Sequence, residues 1–485
     1  MKKRVLAVLL SLCMVLCMIP MSVSAAETET ETPKSYVALG DSIPAGYGLE
    51  EGENPYPQQL AETYSYKLDN LAVTGMTSAT LLTEIAKEDV LAKVTAADVI
   101  TITVGGNDLM NALYTFLLNK YNATQAEDKK LTLQNLQEML AAGDSTMLAF
   151  AVTAVKDFAE SEEATGALAT FTENLVGVVT AIKVANPDVA IYMTNQYNPY
   201  SYVAAENAAN PVLGDALKAV ADAFESGVTA LNRAIAYTAL ETEFTVVDVY
   251  TPFQSAEESP CNAAVTDVTK LNLDFHPNAY GHTLIAEALD ETITPMNFTD
   301  LSKGQWYYDA VRYAYRNGLM AGEGNNRFNP QGVVTRATVV QVLYNLEGQP
   351  EVTEVTDKFS DVKEGLWYSN AITWAVENGV VAGNPDGTFQ PTQAITREAF
   401  AQMLYNYAVK KGYDVETVAN LDKFPDKDQV SSWAYTALAW ANGKSVINGT
   451  TEGDTVYLAP KDNAIRAQAA SILMNFQQNV GTVTE

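Results

Sequence analysis

Two short segments of the chain carry a serine and a histidine that could act together in nucleophilic catalysis. Gly40-Asp41-Ser42-Ile43 directly follows an apolar run, and Asp274-Phe275-His276-Pro277-Asn278 precedes a helical pattern. A serine hydroxyl is a poor nucleophile until a base takes its proton, and a neutral imidazole is the base best suited to pH near 7. The chain has only two histidines. We therefore predict that His276 is the base for Ser42, and we interpret His282, inside the helical pattern, as structural.

Two further polar groups could bind the negative charge that develops on a carbonyl oxygen under attack. The segment Asn70-Leu71-Ala72-Val73-Thr74-Gly75 ends in a glycine whose backbone N–H is a candidate donor. Gly105-Gly106-Asn107-Asp108 follows a second apolar run, and the side-chain amide of Asn107 is another candidate. Donors that are fixed in advance around an oxyanion lower the barrier of acyl transfer. Gly75 and Asn107 therefore join the candidate site.

Four apolar runs predict the strands that would position these groups. They lie at residues 36–39, 99–104, 189–193 and 244–249, with helical patterns between them. Strands that alternate with helices favour a parallel sheet covered on both faces, with reactive groups at the carboxyl ends of the strands. Residues 109–188 form a longer segment than one crossover needs. They predict either additional helices packed on the sheet or a partial lid over the site.

The order of these blocks along residues 35–292 resembles the GDSL, or SGNH, hydrolase family. The resemblance implies a flavodoxin-like, three-layer α/β sandwich that hydrolyses carboxylic esters without a metal or a cofactor. Carried over to this sequence, it implies that Ser42 is the nucleophile and His276 the general base. The backbone N–H groups of Ser42 and Gly75 and the amide of Asn107 would form the oxyanion hole.

The carboxylate that would orient the histidine departs from the family pattern. The family places an Asp three residues before the His, but that position is Leu273 here, and Asp274 lies two residues before His276. The loop could bend so that Asp274 still reaches Nδ1, or a backbone carbonyl near Leu273 could take the role and leave a Ser–His dyad. Asp248, at the end of the fourth predicted strand, could also approach from elsewhere. The sequence leaves these three alternatives open.

After Pro295 the sequence repeats three times. Each repeat contains a Phe-x-Asp triplet, a Trp, an Asn-Gly pair, a triplet that ends in Pro, and an Arg, all at matching positions. The arginines are Arg336, Arg397 and Arg466, separated by 61 and 69 residues. Each repeat predicts two helices joined by a Gly-rich loop, and no repeat has enough apolar surface to fold alone.

This pattern resembles the S-layer-homology module. The repeats lie at residues 296–350, 357–412 and 421–480. The resemblance implies an all-α, pseudo-threefold module that binds secondary cell-wall polysaccharide in grooves lined by Arg336, Arg397 and Arg466. A guanidinium could pair bidentately with a carboxylate on such a sugar, or it could only brace the helices. The matched tryptophans, which we interpret as packing residues rather than sugar platforms, are Trp306, Trp367 and Trp433.

The first residues predict export from the cell. A cationic start is followed by an apolar stretch over residues 5–21 and by small residues at 24–26. We predict a signal peptide at residues 1–25 and a charged linker at 26–34. No later segment is predicted to span a membrane. Cys261 is the one cysteine beyond the predicted signal, so we expect no internal disulfide and interpret this thiol as inert.

The formal net charge of the chain is −29, and residues 26–295 alone carry 12 Lys and Arg against 38 Asp and Glu. A field of this sign disfavours nucleic acid and anionic lipid surfaces as partners. The sequence therefore predicts a secreted bacterial serine ester hydrolase held at the cell wall, acting on an acetylated polysaccharide or a short acyl ester. An acyltransferase with the same site is an intermediate possibility. The alternative is a non-catalytic surface protein with a relic hydrolase domain.

Overall fold

The computed structural model describes residues 33–142, 144–211, 213–267, 270–416 and 418–480. The predicted signal peptide at residues 1–25 lies outside the described residues, as does most of the predicted linker. The chain divides into two compact units, Met1–Ile293 and Thr294–Glu485.

A five-stranded sheet forms the middle layer of the first unit. Its strands are β1 (Ser35–Gly40), β2 (Lys67–Asn70), β3 (Val99–Thr103), β4 (Ala190–Thr194) and β5 (Thr245–Val247). All neighbouring strands are parallel, and their order in space is β2-β1-β3-β4-β5. In this doubly wound order the winding reverses between β1 and β3, which is where such sheets bind ligands. The predicted flavodoxin-like fold class is confirmed.

The edge strand β2 was not predicted from the sequence. Its residues read Lys-Leu-Asp-Asn and are half-buried or exposed. An edge strand with one neighbour does not need the continuous apolar run that marks a central parallel strand. The other four strands agree with the predicted runs to within a few residues.

Helices cover both faces of the sheet and complete the three layers. The helices of this unit are α1 (Tyr56–Tyr64), α2 (Ser78–Ile85), α3 (Glu88–Ala96), α4 (Gly106–Asn122), α5 (Leu133–Ala141), α6 (Ser145–Ala154), α7 (Glu162–Ala185), α8 (Ser201–Glu206), α9 (Gly214–Glu241), α10 (Tyr250–Gln254) and α11 (Ala279–Ile293). Because side chains alternate along a strand, Tyr36 and Val37 of β1 enter different cores. Tyr36 packs with residues of α1 and α11, whereas Val37 packs with residues of α2, α3 and α7.

The long segment between β3 and β4 forms additional helices with a core of their own. It comprises α4 to α7 and a 3-10 helix at Val155–Glu160. Leu113, Leu136, Met147 and Phe158 are buried together in this core. The segment therefore contains helices added to the sandwich, as in the first alternative, and because Val155 and Phe158 also line the cleft that contains Ser42, the partial lid stays a prediction.

Helix α7 is the one described helix that is long and apolar enough, by composition alone, to cross a membrane. The sequence reading had predicted no such segment. Phe171, Leu175, Val178 and Ile182 of this helix are buried in the core that also contains Val37. A helix packed between the sheet and other helices is apolar around much of its circumference. We therefore interpret α7 as a core helix of the sandwich.

Six α-helices, two in each repeat, lie in the described residues of the second unit, together with short 3-10 helices at Leu421–Lys423 and Lys427–Gln429. The α-helices are α12 (Tyr308–Arg316), α13 (Arg336–Leu346), α14 (Ser369–Glu377), α15 (Arg397–Lys411), α16 (Tyr435–Gly443) and α17 (Arg466–Asn479). The second helix of each repeat packs on the first helix of the next, and α17 of the last repeat packs on α12 of the first. The repeats therefore close into a ring with pseudo-threefold symmetry. The first unit also contains a two-stranded hairpin, β6 (Ala264–Asp267) and β7 (Lys270–Asn272). The third repeat of the second unit contains another, β8 (Thr450–Glu452) and β9 (Thr455–Tyr457), which is one difference from the predicted all-α module.

Three backbone hydrogen bonds close this ring at its centre. The N–H of Val334 donates to the carbonyl of Ala464, that of Ala464 to Ile395, and that of Ile395 to Val334, each at 2.9 Å. Each residue precedes the second helix of its repeat. A single repeat would leave these groups without partners, which explains why the three repeats fold as one body.

The Asp of each Phe-x-Asp triplet holds the loop before the second helix of its repeat. Asp426, which is 7 % exposed, accepts hydrogen bonds from the backbone N–H groups of Leu458 and Ala459 at 2.9 and 2.7 Å. Asp300 and Asp361 bind the equivalent pairs of N–H groups in the first two repeats. The repeated Asp is therefore a structural residue.

Replacing Asp426 by Ala should lower the free energy of unfolding of the second unit by about 2 kcal/mol, because two buried N–H groups lose a charged acceptor. All five tryptophans lie in this unit, so tryptophan fluorescence during urea unfolding reports on it alone. Asp386→Ala is the control, since this exposed carboxylate bonds only within its own turn, to Thr388. Equal midpoints for the two variants would contradict the structural role.

His282 is a fully buried residue of α11 in the first unit. Its Nδ1 accepts the backbone N–H of Tyr56 at 3.2 Å, which ties α11 to the start of α1. Burial, with a smaller contribution from the charge of His276, lowers the pKa of His282 to about 4. Because the folded chain keeps this imidazole neutral while the unfolded chain protonates it below about pH 6.5, stability is lost as the pH falls from 6.5 towards 4.

The variant His282→Asn keeps an acceptor for Tyr56 but cannot be protonated. The stability advantage of the natural chain over this variant should therefore shrink by about 2 kcal/mol between pH 7.5 and pH 4.5. Calorimetry measures this difference in the unfolding transition of the first unit. That unit has no tryptophan, so its transition is the one that tryptophan fluorescence does not report. The raised pKa of Asp41 acts in the opposite direction, but it contributes equally to both proteins. Parallel pH dependences for the two proteins would show that His282 is not held neutral by the fold.

Candidate active site

Ser42 lies at the carboxyl end of β1, at the point where the sheet reverses its winding. The strand ends at Gly40, whose φ of +138° and position leave no room for a side chain: a Cβ there would lie 2.1 Å from the carbonyl oxygen of Thr103. The N–H of Asp41 then donates to that same oxygen at 3.1 Å. The chain is thus clamped to β3 immediately before it turns away and presents Ser42.

A continuous chain of hydrogen bonds links three of the predicted residues. The Oγ of Ser42 lies 2.9 Å from Nε2 of His276, and Nδ1 of His276 lies 2.5 Å from Oδ1 of Asp274. The same carboxylate oxygen accepts the backbone N–H of His276 at 3.1 Å. A carboxylate on Nδ1 favours the tautomer in which Nε2 can accept the serine proton.

The loop before His276 bends so that Asp274 reaches the imidazole, as the first of the three alternatives supposed. The carbonyl of Leu273 instead accepts the hydroxyl of Tyr200 at 2.9 Å. Asp248 binds the amide of Asn195 at 2.9 Å and the start of α10. Neither of these two groups is therefore the partner of Nδ1.

Residues that the sequence analysis missed hold this loop in place. The hydroxyl of Tyr197 donates to the carbonyl of Phe275 at 3.2 Å, and the backbone N–H of Asn262 donates to the carbonyl of His276 at 2.9 Å. The amide of Asn262 also donates to the carbonyl of Gly48 at 3.1 Å. No local pattern marks these residues, because each acts on a segment that is distant in the sequence.

Gly48 brings the loop after Ser42 against the histidine. It has a φ of +89°, and a Cβ there would lie 2.7 Å from the Asn262 amide nitrogen and 3.3 Å from Cβ of His276. The neighbouring Tyr47 ring lies 4.5 Å from the imidazole, and the Phe275 ring lies 4.4 Å from it on stacked planes. The imidazole is therefore restricted by ring contacts as well as by hydrogen bonds.

Asn107 and Gly75 belong to two segments that are tied together. The amide of Asn107 donates to the carbonyl of Met76 at 3.0 Å, and the carboxylate of Asp108 accepts both the N–H and the hydroxyl of Ser78. Asn107 lines the same cleft as Ser42, whereas Gly75 is linked to Asn107 through the bond to its neighbour Met76. Among the described residues, the N–H groups of Ser42 and Gly75 donate to no protein acceptor, so both can bind another oxygen.

Asp41 is buried beside the nucleophile. Burial raises the pKa of its carboxyl to about 7, the charge of Asp108 adds to the effect, and the N–H of Ile43 opposes it. Its Oδ1 accepts that N–H at 3.0 Å. This contact keeps the turn around Ser42 closed, so Asp41 has a structural role beside the nucleophile. The buried Cys261 has a pKa far above its usual value because of burial, so its thiol is protonated.

The three arginines of the second unit brace one repeat against the next. In each case the arginine Nε donates a hydrogen bond to a backbone carbonyl of the following repeat. Arg336 binds the carbonyl of Phe389 in the second repeat, Arg397 that of Leu458 in the third, and Arg466 that of Phe328 in the first. Arg397 is 3 % and Arg466 is 7 % exposed, so these two guanidiniums are largely unavailable to a sugar. The bracing alternative accounts for both. Arg336 is half-buried and retains an accessible side.

The interpretation of the matched tryptophans as packing residues is wrong. Trp306, Trp367 and Trp433 are 63, 62 and 55 % exposed. The ring planes of the first two lie at 83° and 79° to that of the following tyrosine, with centroids 5.3 and 5.1 Å apart. More than half of the surface of each tryptophan is therefore exposed, at equivalent positions in the three repeats.

Comparison with known proteins found relatives of the chain and family models that match residues in both units. Relatives of the chain include an amylopullulanase from Thermoanaerobacterium thermosulfurigenes (30 % identical over 187 residues, 38 % of this chain and 10 % of the relative). A surface-layer 125 kDa protein from Lysinibacillus sphaericus is 30 % identical over 203 residues, 41 % of this chain and 16 % of that protein. A cellulosome-anchoring protein from Acetivibrio thermocellus is 31 % identical over 147 residues, 30 % of this chain and 32 % of that protein. The chain thus spans at most a third of the length of these relatives.

Two solved structures are similar to the first unit. The lipase Lip_vut3 from a goat rumen metagenome is 20 % identical, with a TM-score of 0.33, over 53 % of this chain and 95 % of that chain. Phospholipase A1 from Streptomyces albidoflavus NA297 is also 20 % identical, with a TM-score of 0.36, over 54 % and 99 %. Residues 297–340, 358–401 and 423–470 each match the S-layer homology domain. Because residues 38–284 match the GDSL-like lipase/acylhydrolase model, the chain belongs to the GDSL-like lipase/acylhydrolase family and carries three S-layer homology domains.

Proposed function

We propose that the first unit hydrolyses carboxylic esters through an acyl-enzyme formed on Ser42. The observation that carries this proposal is the hydrogen-bonded chain from Ser42 through His276 to Asp274, with distances of 2.9 and 2.5 Å. A histidine held between a carboxylate and a serine hydroxyl can take the serine proton as the oxygen attacks.

Two half-reactions complete the proposed cycle. Ser42 Oγ attacks the ester carbonyl while His276 takes its proton, and the tetrahedral intermediate then expels the alcohol, which takes the proton from His276. Water attacks the acyl-serine in the same way, with His276 as base, and the acid leaves as Ser42 recovers its proton. Asp274 stabilises the imidazolium that exists between these transfers and is not itself protonated.

The proposed oxyanion hole combines the N–H groups of Ser42 and Gly75 with the amide of Asn107. Two features support it: the backbone N–H groups have no protein acceptor among the described residues, and Asn107 is fixed by its bond to Met76. Such fixed donors stabilise the developing charge without having to reorient. The same features count against a relic domain, because a site free of selection for catalysis has no need to keep them aligned.

Asp274→Asn should lower kcat on p-nitrophenyl butyrate at least a hundredfold, because the histidine loses the partner that fixes its tautomer. Asp248→Asn is the matched control, since Asp248 was the competing carboxylate in the sequence analysis and directly follows β5. The control should stay within about threefold of the natural chain, with circular dichroism showing that both variants fold. If Asp274→Asn lost less than threefold, a Ser–His dyad would be the better account.

We further propose that the S-layer homology domains hold the enzyme at a bacterial cell wall by binding its secondary polysaccharide. The relatives named as surface-layer and cellulosome-anchoring proteins support this placement, as does the predicted signal peptide at residues 1–25. The exposed side chains of Trp306, Trp367 and Trp433 are candidate platforms for sugar rings, and Arg336 is a candidate donor for an acidic substituent. Because the protein carries a formal net charge of −29, binding of an acidic polymer would depend on such local contacts rather than on net attraction.

A chain that ends at Ile293 should keep the ester hydrolysis of the full chain but should no longer sediment with purified cell walls. The reason is that the two activities are assigned to separate compact units. Walls from which hydrofluoric acid has removed the secondary polysaccharide provide the control, and the full chain should not sediment with them. Sedimentation of the shortened chain with intact walls, to the same extent as the full chain, would contradict this division.

A further inference from the structure

We propose that the ester site takes an unbranched, medium-length acyl chain, held in an apolar cleft between α4 and α9. This inference rests on the proposed function, since it names the acyl part of the substrate. It differs from both substrates suggested by the sequence, an acetylated polysaccharide and a short acyl ester, because an acetyl group would occupy only the mouth of such a cleft.

The cleft begins at the proposed catalytic groups and becomes apolar away from them. The centres of water-sized spheres can occupy about 100 Å³ of it, and Ser42 and Asn107 lie in its wall. The other strongly polar residues of the wall, Asp41 and Gln196, lie at this same end, since Gln196 approaches the carbonyl of Val104 at 3.5 Å. This arrangement is that of a ligand site in which a few polar groups orient one end of an apolar molecule.

Two antiparallel helices form the long walls. A Cβ at Gly105, just before α4, would lie 3.2 Å from Leu231 of α9. About one turn later on α4, Leu109 lies 3.7 Å from the Cβ position of Gly227, which is about one turn earlier on α9, so the two helices run in opposite directions. The wall residues recur at helical spacing, with Leu109 and Leu113 on one side and Val228 and Leu231 on the other. From Asn107 to Leu113 the helix rises about 9 Å, which accommodates an extended chain of about six to eight carbons.

The helices inserted between β3 and β4 close the far part of the cleft. Val155 and Phe158, both from the 3-10 helix of this insertion, line it together with Phe224 of α9. Phe158 packs on Phe116 with ring centroids 5.7 Å apart, and Phe224 packs edge-on against Tyr200 at 4.7 Å. The insertion therefore has a function in this account: it supplies the apolar end wall that a bare sandwich would lack.

An acetylated sugar fits this cleft poorly. Its acyl group ends after one methyl, so the apolar walls beyond Leu109 would stay in contact with water. Each methylene that moves from water into the cleft should instead raise kcat/KM about three- to fourfold, provided that the contact persists in the transition state.

The test measures kcat/KM of the full chain on p-nitrophenyl esters with acyl chains from acetate to decanoate. We expect a rise over successive methylenes up to about eight carbons and then a plateau or a fall, because Val155, Phe158 and Phe224 close the cleft there. A maximum at acetate, with a decline for every longer chain, would overturn the inference.

The variant Gly227→Leu places a side chain in the middle of the cleft. The room at Gly227 allows a Cβ without a clash, so the change fills space rather than breaking the helix. The ratio of kcat/KM for octanoate to that for acetate should fall at least tenfold. Gly166→Leu is the matched control, because Gly166 is an exposed residue of α7 with no atom within 4 Å of its Cβ position, and it should keep the ratio of the natural chain. Equal ratios for the two variants would overturn the inference.

Binding of a fatty acid separates this inference from the proposed catalysis. Isothermal titration calorimetry should show that octanoate binds to the natural chain and to Gly166→Leu, whereas acetate should not bind. If no ester is hydrolysed but octanoate binds in this way, the cleft is an acyl site and the proposed function fails. If esters are hydrolysed but octanoate does not bind, or binds no better than acetate, the acyl inference fails while the proposed function stands.

Discussion

Three hydrogen bonds fix the backbone of residues 273–276, and the alignment of the candidate site depends on them. Tyr200 and Tyr197, which follow β4, donate their hydroxyls to the carbonyls of Leu273 and Phe275, and Asn262 donates its N–H to the carbonyl of His276. Both tyrosines are buried, and burial raises their pKa values, so they remain donors at any physiological pH. The sheet thereby sets the position of a loop that lies more than 70 residues later in the chain.

This constraint explains how an Asp two residues before the His can still reach Nδ1. With the carbonyls of residues 273, 275 and 276 already bound, the loop can turn the Asp274 side chain back, and its Oδ1 meets both the backbone N–H and the ring of His276. The rings of Tyr47 and Phe275, both within 4.5 Å of the imidazole between centroids, then limit its rotation. The Ser42 contact follows, because Gly40 and Asp41 anchor the serine turn to β3 independently.

The sequence predicted what depends on local patterns. The central strands are continuous apolar runs, and the repeated Arg and Asp positions reveal three equivalent units, so the fold class of both parts was accessible. The edge strand β2 was missed because its residues are polar. The roles of Tyr197, Tyr200 and Asn262 were missed because each depends on contacts with a distant segment. The tryptophans were misjudged because a repeated aromatic residue has the same pattern whether its face is buried by a neighbour or left open for a ligand.

The central claim is that Ser42 is a nucleophile activated by His276, and covalent trapping tests it most directly. An alkyl fluorophosphonate reacts with a serine only where a base and an oxyanion hole are already assembled. The account predicts one adduct per chain, found by mass spectrometry on the peptide that contains Ser42, absent in Ser42→Ala and formed far more slowly in His276→Ala. A folded chain that gains no adduct, or gains it on another residue, would contradict the account.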